Sequence, residues 1–217
     1  MTDPNDPLRY ALAPNGVFWS IQGEAHLRGF QMTFVRLAGC SVGCPQCDTN
    51  YSVAARATAP EVVDLVRGVQ PPGDRDGWVW ITGGEPTDRD LRPLLGALKG
   101  AGYSTALATS GVNRMIPPVD WLSVSPHSSD PARFQQRYGN EVKLIDGLHG
   151  LDLEQWADQW DREIDFMYRY VQPISRRDAT NTRWVESPES LARCLGFLRR
   201  HPRWALSRQD HHHWSVA

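Results

Sequence analysis

The sequence predicts an α/β fold: an incomplete, TIM-type barrel of about six strands in one chain of 217 residues. Three observations lead there. Short apolar runs alternate with amphipathic runs over most of the chain, the pattern of successive parallel βα units. Polar residues with chemical potential fall just after those apolar runs: a cysteine loop, Gly83-Gly84, Thr109-Ser110, Ser125 and Gln172. In α/β barrels the C-terminal strand ends form the active face. Only three or four helices are strongly marked, too few for a closed eight-unit barrel.

Bulk properties narrow the class. The length suggests a single domain over 1–217, with 1–16 an N-terminal arm and 207–217 a C-terminal tail. A 41% hydrophobic content suits a globular core. A net charge of −2 gives no basic surplus for nucleic acid or an anionic membrane. No apolar run approaches the roughly 18 residues that a membrane helix requires. The polar start, Met1-Thr2-Asp3-Pro4, is unlike a secretory signal, and clustered cysteines do not make a disulfide framework. The expectation is a cytoplasmic protein.

The elements follow in order. Pro7 and Pro14-Asn15-Gly16 mark turns in the arm. Phe34-Val35-Arg36-Leu37 is a short strand leading into the cysteines. Arg36 interrupts it, either as an edge-strand arginine facing water or as a fork for a carboxylate. Thr58 or Ala59 caps a helix with Pro60 in its first turn, and Val62, Val63 and Val66 keep helical spacing. Trp78–Thr82 is a strand of aromatic and branched residues. Leu91, Leu94, Leu95 and Leu98 mark the next helix. Strands are expected over 105–109, 121–124, 141–145, 166–171 and 204–206. An exposed helix is expected over 152–162, and Ser187 opens the last one. Cys194, at helical spacing from Leu191 and Leu198, reads as a buried thiol. His212 and His213 read as solvent-exposed tail.

The chemistry concentrates in Cys40-Ser41-Val42-Gly43-Cys44-Pro45-Gln46-Cys47. Three of the four cysteines lie within eight residues. Soft thiolates favour iron–sulfur, zinc or copper(I) over hard cations. Gly43 allows a tight bend and Pro45 fixes one φ. A structural zinc site wants four ligands, yet Cys194 stands alone and no histidine lies within ten residues of the triplet. A four-iron cubane held by three thiolates keeps one iron open. Thr49, just beyond, offers a hard hydroxyl oxygen of the kind Mg²⁺ accepts, although an N-cap is its plainer local role. Ile81-Thr82-Gly83-Gly84-Glu85-Pro86 follows a strand, and paired glycines expose backbone groups with no Cβ in the way. Alone, a Gly-Gly pair is most simply a tight turn.

The cysteine triplet and Gly83-Gly84-Glu85-Pro86 together resemble the radical S-adenosylmethionine (SAM) enzymes. From about Phe18 onward the chain resembles one family of them, the 7-carboxy-7-deazaguanine synthases. The resemblance is carried by Ile21-Gln22-Gly23-Glu24, Val35-Arg36-Leu37, the cysteines with Asp48-Thr49, Ile81–Pro86, Thr109-Ser110-Gly111, Val124-Ser125-Pro126, Gln172-Pro173-Ile174-Ser175, and Leu206-Ser207 with Gln209 and His211. It implies a radical SAM core and a Mg²⁺-dependent ring contraction. In it, 6-carboxy-5,6,7,8-tetrahydropterin becomes 7-carboxy-7-deazaguanine with release of ammonia, on the route to queuosine. It implies that Cys40, Cys44 and Cys47 hold a [4Fe–4S] cluster whose open iron binds SAM. One-electron cleavage of SAM then gives a radical that takes hydrogen from the substrate.

By the same resemblance Thr49 binds Mg²⁺. Gln46, Cys47, Asp48, Gly84, Ser125, Pro126, His127, Gln172, Pro173, Ile174 and Ser175 touch SAM. Ile21, Gln22, Gly23, Arg36 and Thr82 touch the pterin, helped by Glu24 and His211, and the tail brings Ala217 to it. An electron donor such as flavodoxin and a homodimer are also implied. Ala25, Ala108 and His127 depart from the family's usual glycine, glutamate and lysine. Another radical SAM enzyme, such as a glycyl-radical activase, fits Thr49 and Gln22-Gly23-Glu24 less well. A zinc-stabilised binding module, from a different class, is short of a ligand.

Overall fold

The computed structural model describes residues 9–44, 47, 49–73, 77–114, 119–128, 130–160, 163–180, 182–214 and 216, without the side chains of 131, 159 and 160. The chain divides into two compact units, Met1–Ser20 with Gln31–Thr109 and Met115–Leu122, and Ile21–Phe30 with Ser110–Arg114 and Ser123–Ala217.

The first unit is built on β1 (Arg9–Ile21, its last residue in the other unit), β2 (Gln31–Leu37), β3 (Ala55–Thr58), α1 (Ala59–Val69), β4 (Trp78–Gly83), α2 (Arg92–Gly100) and β5 (Ser104–Thr109). The strand order is β3-β1-β2-β4-β5. β2, β4 and β5 run parallel, with Phe34 opposite Trp80 and Trp80 opposite Ala106. Val79 and Ile81 of β4 are fully buried, as are Val62 and Val66 of α1 and Leu94 and Leu98 of α2. Such burial stabilises by roughly 1.5–3 kcal/mol per side chain. Helix α1 starts where the sequence says it should. Thr58 and Glu61 form a reciprocal capping box, and Pro60 occupies the first turn.

The second unit takes the end of β6 (Trp121–Val124), then β7 (Tyr138–Ile145), α3 (Leu153–Trp160), β8 (Asp165–Gln172), β9 (Ser175–Arg177), β10 (Trp184–Glu186), α4 (Pro188–Arg200), β11 (Ala205–Leu206) and α5 (Asp210–Trp214). β6, β7, β8 and β11 are parallel neighbours, and β9 with β10 forms a small antiparallel ribbon. Neither strand run closes on itself. Seven strands take part in parallel pairs among the described residues, where about six were expected. Among those residues no helix is long and apolar enough to cross a membrane.

Four expectations need correction. The arm is a strand from Arg9, because Tyr10, Leu12 and Ala13 are buried and Arg9–Leu12 pair with β3. Asn15 bends that strand with a φ of 52° and does not end it. Helix α3 is exposed on one side only: Gln155 and Asp158 are exposed, but Trp156 is 3% exposed and meets Phe134 edge-on at 5.3 Å. Of the two histidines expected to be exposed in the tail, His213 is, but His212 is half-buried and stacks on Trp184 at 5.5 Å within the helix Asp210–Trp214. The ribbon of β9 and β10 has no periodic signal, being three residues per strand. Thr58→Ala removes one arm of the capping box and should lower stability by about 1 kcal/mol. Urea denaturation measures it; an unchanged midpoint would mean that the cap contributes nothing.

Candidate functional site

In the first unit, the cysteine loop hangs between the end of β2 and the start of β3. Cys40 and Cys44 are half-buried and Cys47 is exposed. The base of the loop is closed by the Gly39 N–H donating to the Tyr51 carbonyl at 2.9 Å, and the Cys47 N–H donates back to Cys44 at 3.2 Å. Gly43 takes a left-handed φ of 64°. The turn after β4 grips the loop's first residues. Asp88 accepts from the Ser41 N–H at 2.8 Å and the Ser41 hydroxyl at 2.7 Å, while Arg89 donates to the Ala38 carbonyl at 3.0 Å. Neither Asp88 nor Arg89 stood out in the sequence.

Gly83-Gly84 forms the tight turn that the pair alone suggests, with a close backbone approach. The Gly84 N–H donates to Leu37 at 2.8 Å and the Glu85 N–H to Gly39 at 3.2 Å. A Cβ on Gly84 would overlap the Gly39 carbonyl oxygen, and one on Gly83 would overlap the Leu37 backbone. Gly83 also holds a φ of 113°, which side-chain-bearing residues rarely adopt. The pair therefore lets the end of β4 lie directly against the backbone that enters the cysteine loop. Glu85, buried, fixes this turn: one carboxylate oxygen accepts from the Thr87 N–H (3.1 Å), the Thr87 hydroxyl (2.6 Å) and the Thr109 hydroxyl (2.6 Å).

Arg36 and Thr82 face each other across β2 and β4. β2 is an interior strand, so the edge-strand reading of Arg36 fails. Its guanidinium lies 4.6 Å from the Phe18 ring centre, and Phe18 stacks on Phe34 at 5.1 Å. That contact orients the guanidinium plane. Thr49 is half-buried; Gln46 and Asp48 lie outside the described residues. Among the described residues no three His, Cys, Asp or Glu side chains converge as an ion site. What fits an iron–sulfur cluster is the donor chemistry: three thiols in one short, accessible loop, with no fourth cysteine on it.

In the second unit, the residues Ile21–Phe30 cross one face of β7 and β8. Glu141 and Lys143 lie on that face, and their register partners Tyr168 and Tyr170 extend it. Glu24 pairs with Lys143 and also accepts from the Gln172 amide at 3.2 Å. Burial pushes the Glu24 carboxyl up, but the charges of Lys143 and His211 and the two hydrogen bonds outweigh it and bring the value down to about 2. The His26 N–H donates to Glu141 at 3.1 Å, and the His26 ring stacks on Tyr168 at 3.9 Å. The Ala25 N–H donates to the Ser207 hydroxyl at 3.0 Å, which itself donates to Gln172 at 2.7 Å. Gln22 accepts from the Glu24 N–H at 3.1 Å. Gly23 must be small, because a Cβ there would sit 2.5 Å from the His211 backbone nitrogen. Asp210 donates its N–H to the Gly23 carbonyl at 3.1 Å and pairs with Arg28.

The expected SAM contacts of this unit are placed as follows. The Ser125 hydroxyl donates to the Lys143 carbonyl at 3.1 Å, Pro126 is buried and His127 half-buried. Gln172 and Pro173 are buried. The Ile174 N–H donates to Ser190 at 3.0 Å and its carbonyl accepts from the Ser187 N–H at 3.0 Å. Ser175 opens β9. Ala217 lies outside the described residues. The sequence reading missed Lys143; its signal was the pair Glu141-x-Lys143 inside an otherwise apolar strand. Cys194 is fully buried, and burial first, then Asp146, pushes its thiol up to about 12, as a structural cysteine should be.

Comparison with known proteins adds to this geometry. No protein-family profile matches the chain. A 7-carboxy-7-deazaguanine synthase from Synechocystis sp. is 31% identical over 208 residues, covering 92% of this chain and 90% of that protein. A crystal structure of QueE from Escherichia coli superposes with a TM-score of 0.70 at 24% identity, over 95% of this chain and 99% of that one. A radical SAM methyltransferase from Sphaerobacter thermophilus gives 0.52 at 18% identity, over 82% of this chain and 66% of that one. The two structures speak for the α/β fold.

Ala25 supplies a test of the local backbone. It adopts a φ of 53°, in the left-handed region. That conformation disfavours a Cβ by roughly 1–2 kcal/mol, partly offset by glycine's freedom when unfolded. Ala25→Gly should therefore raise stability by about 0.5–1 kcal/mol. A lower thermal midpoint in the variant would show that Ala25 is unstrained.

Proposed function

The chain belongs to the 7-carboxy-7-deazaguanine synthase family and is a radical SAM lyase, and from that premise we propose how its residues share the work. The reaction is the ring contraction of 6-carboxy-5,6,7,8-tetrahydropterin to 7-carboxy-7-deazaguanine. Cys40, Cys44 and Cys47 would hold a [4Fe–4S] cluster, a role supported by the three-thiol loop and its anchoring to the turn after β4. When bound, the cluster would supply the electron that cleaves the SAM sulfonium and so starts hydrogen abstraction from the substrate. The single observation that carries the reading is this loop in a chain 31% identical, over nearly its whole length, to a named synthase.

The protein's own part is binding and orientation. Arg36, held by Phe18, offers a guanidinium fork to the substrate carboxylate, and Thr82 stands beside it across the strands. Glu24 accepts from the donor edge of the pterin, with Ile21, Gln22, Gly23 and His211 as further contacts. Ala217 would add a contact from the tail. By the family resemblance, Gln46, Cys47, Asp48, Gly84, Ser125, Pro126, His127 and Gln172–Ser175 would touch SAM. Because the Gln172 side chain and the Ile174 backbone are already engaged, these two would act by packing more than by direct hydrogen bonds. Thr49 would offer one hydroxyl to Mg²⁺, whose positive charge would favour the substrate carboxylate. We also take the parallel strands as an incomplete barrel. The enzyme would work in the cytoplasm as a homodimer, with an electron donor such as flavodoxin.

The test is the reaction itself. Anaerobically reconstituted protein, given the carboxypterin, SAM, Mg²⁺ and a reductant, should form 7-carboxy-7-deazaguanine. Cys44→Ala should lose the iron–sulfur absorption and all SAM cleavage. No deazaguanine from the wild type, or continued 5′-deoxyadenosine production by the variant, would overturn the assignment.

A further inference from the structure

β7 carries two ionisable side chains, Glu141 and Lys143, which alternate with the buried Val142 and Leu144. Lys143 is 8% exposed. A buried ammonium needs a partner, and here it has Glu24, 119 positions away in the sequence. Fold stability alone does not call for such a pair, because well-packed apolar residues serve equally well or better. The geometry gives it another use. Among the described residues, one donor reaches each Glu24 oxygen: the Lys143 ammonium on one and the Gln172 amide on the other. A carboxylate has about four lone-pair positions, so each oxygen keeps capacity for another donor. The Glu24 side chain is still 19% exposed, which leaves that capacity reachable. Ser207 steadies Gln172 from its far side and Ala25 from its N–H, so the carboxylate is fixed along two directions.

We propose that Lys143 is a positioning residue for substrate recognition: it holds the Glu24 carboxylate as a rigid two-oxygen acceptor for the paired N–H donors of the pterin ring. Lys143 itself does not touch the substrate; it acts through Glu24. The inference rests on the pterin reading above and deepens it. Without Lys143 the carboxylate loses its opposite charge, burial favours the protonated form, and one acceptor oxygen becomes a donor. A pterin meeting that group finds a mismatched edge, whereas SAM, which the proposal assigns to other residues, does not.

Steady-state kinetics of the reconstituted holoenzyme test this. Lys143→Met should raise the KM for 6-carboxy-5,6,7,8-tetrahydropterin at least about tenfold, with kcat at saturation and the KM for SAM within about twofold of wild type. Lys143→Arg, which keeps the charge, should recover most of the loss. Glu24→Gln should match Lys143→Met, and the double variant should be no worse than either alone, because the two act as a unit. Additive losses, an equal loss toward SAM, or no recovery by arginine would make Lys143 a structural residue only. If Lys143→Met does not fold, Glu24→Gln and Lys143→Arg carry the test: a pterin-specific KM rise in the first with near-normal kinetics in the second supports the proposal, and any other pattern overturns it. A wild type that makes no deazaguanine defeats the underlying reading and this inference with it. A productive wild type with an unchanged Lys143→Met defeats this inference alone.

Discussion

The contact on which the first unit's chemistry depends is backbone against backbone. Gly83 and Gly84 bring the end of β4 so close to Leu37 and Gly39 that no Cβ fits between them. Two amide hydrogen bonds, Gly84 to Leu37 and Glu85 to Gly39, hold the strands there. Everything around it uses this closeness. Asp88 can reach Ser41 and Arg89 can reach Ala38 only because the turn carrying them starts beside the cysteine loop. Glu85 keeps the turn from opening by binding Thr87 and Thr109. A flexible loop of thiols would lose entropy on closing around a cluster; one already tied at both ends loses less.

The second unit solves a different problem by different means. It has a charged face to satisfy, Glu141 and Lys143 on β7, and it does so with the Ile21–Phe30 segment. Glu24 and the His26 N–H answer the two charges, and the His26 ring lies on Tyr168. The segment is then locked from the other side by Gly23 against the start of α5 and by Arg28 on Asp210. Polar satisfaction, more than apolar burial, sets its path.

What was legible in the sequence was what is local. Thr58 with Glu61 three positions on, and Pro60 between them, announced α1, and the structure forms that cap. Leu94, Leu95 and Leu98 announced α2 by spacing alone. The cysteine spacing and Gly83-Gly84 were chemically distinctive within a few residues, and the family resemblance they carried led to the family that comparison supports. Local signals also misled. Pro14-Asn15-Gly16 reads as a turn in the arm, yet β1 continues through it because its flanks are buried. The glycine pair read as exposing backbone groups, yet the Gly84 N–H is used within the fold. Long-range pairings left no trace: Glu24 meets Lys143 from 119 positions away, and Asp88 meets Ser41 across 47. The short β3 and α5 had too few residues to show a period.

The close approach of Gly84 to Gly39 is the claim most open to a direct measurement: iron and acid-labile sulfide in anaerobically reconstituted Gly84→Ala, alongside far-UV circular dichroism. The account predicts less than about half the wild-type iron with the secondary structure retained, because the loop's entry must shift to admit the methyl group. Wild-type iron content in a folded Gly84→Ala would contradict it.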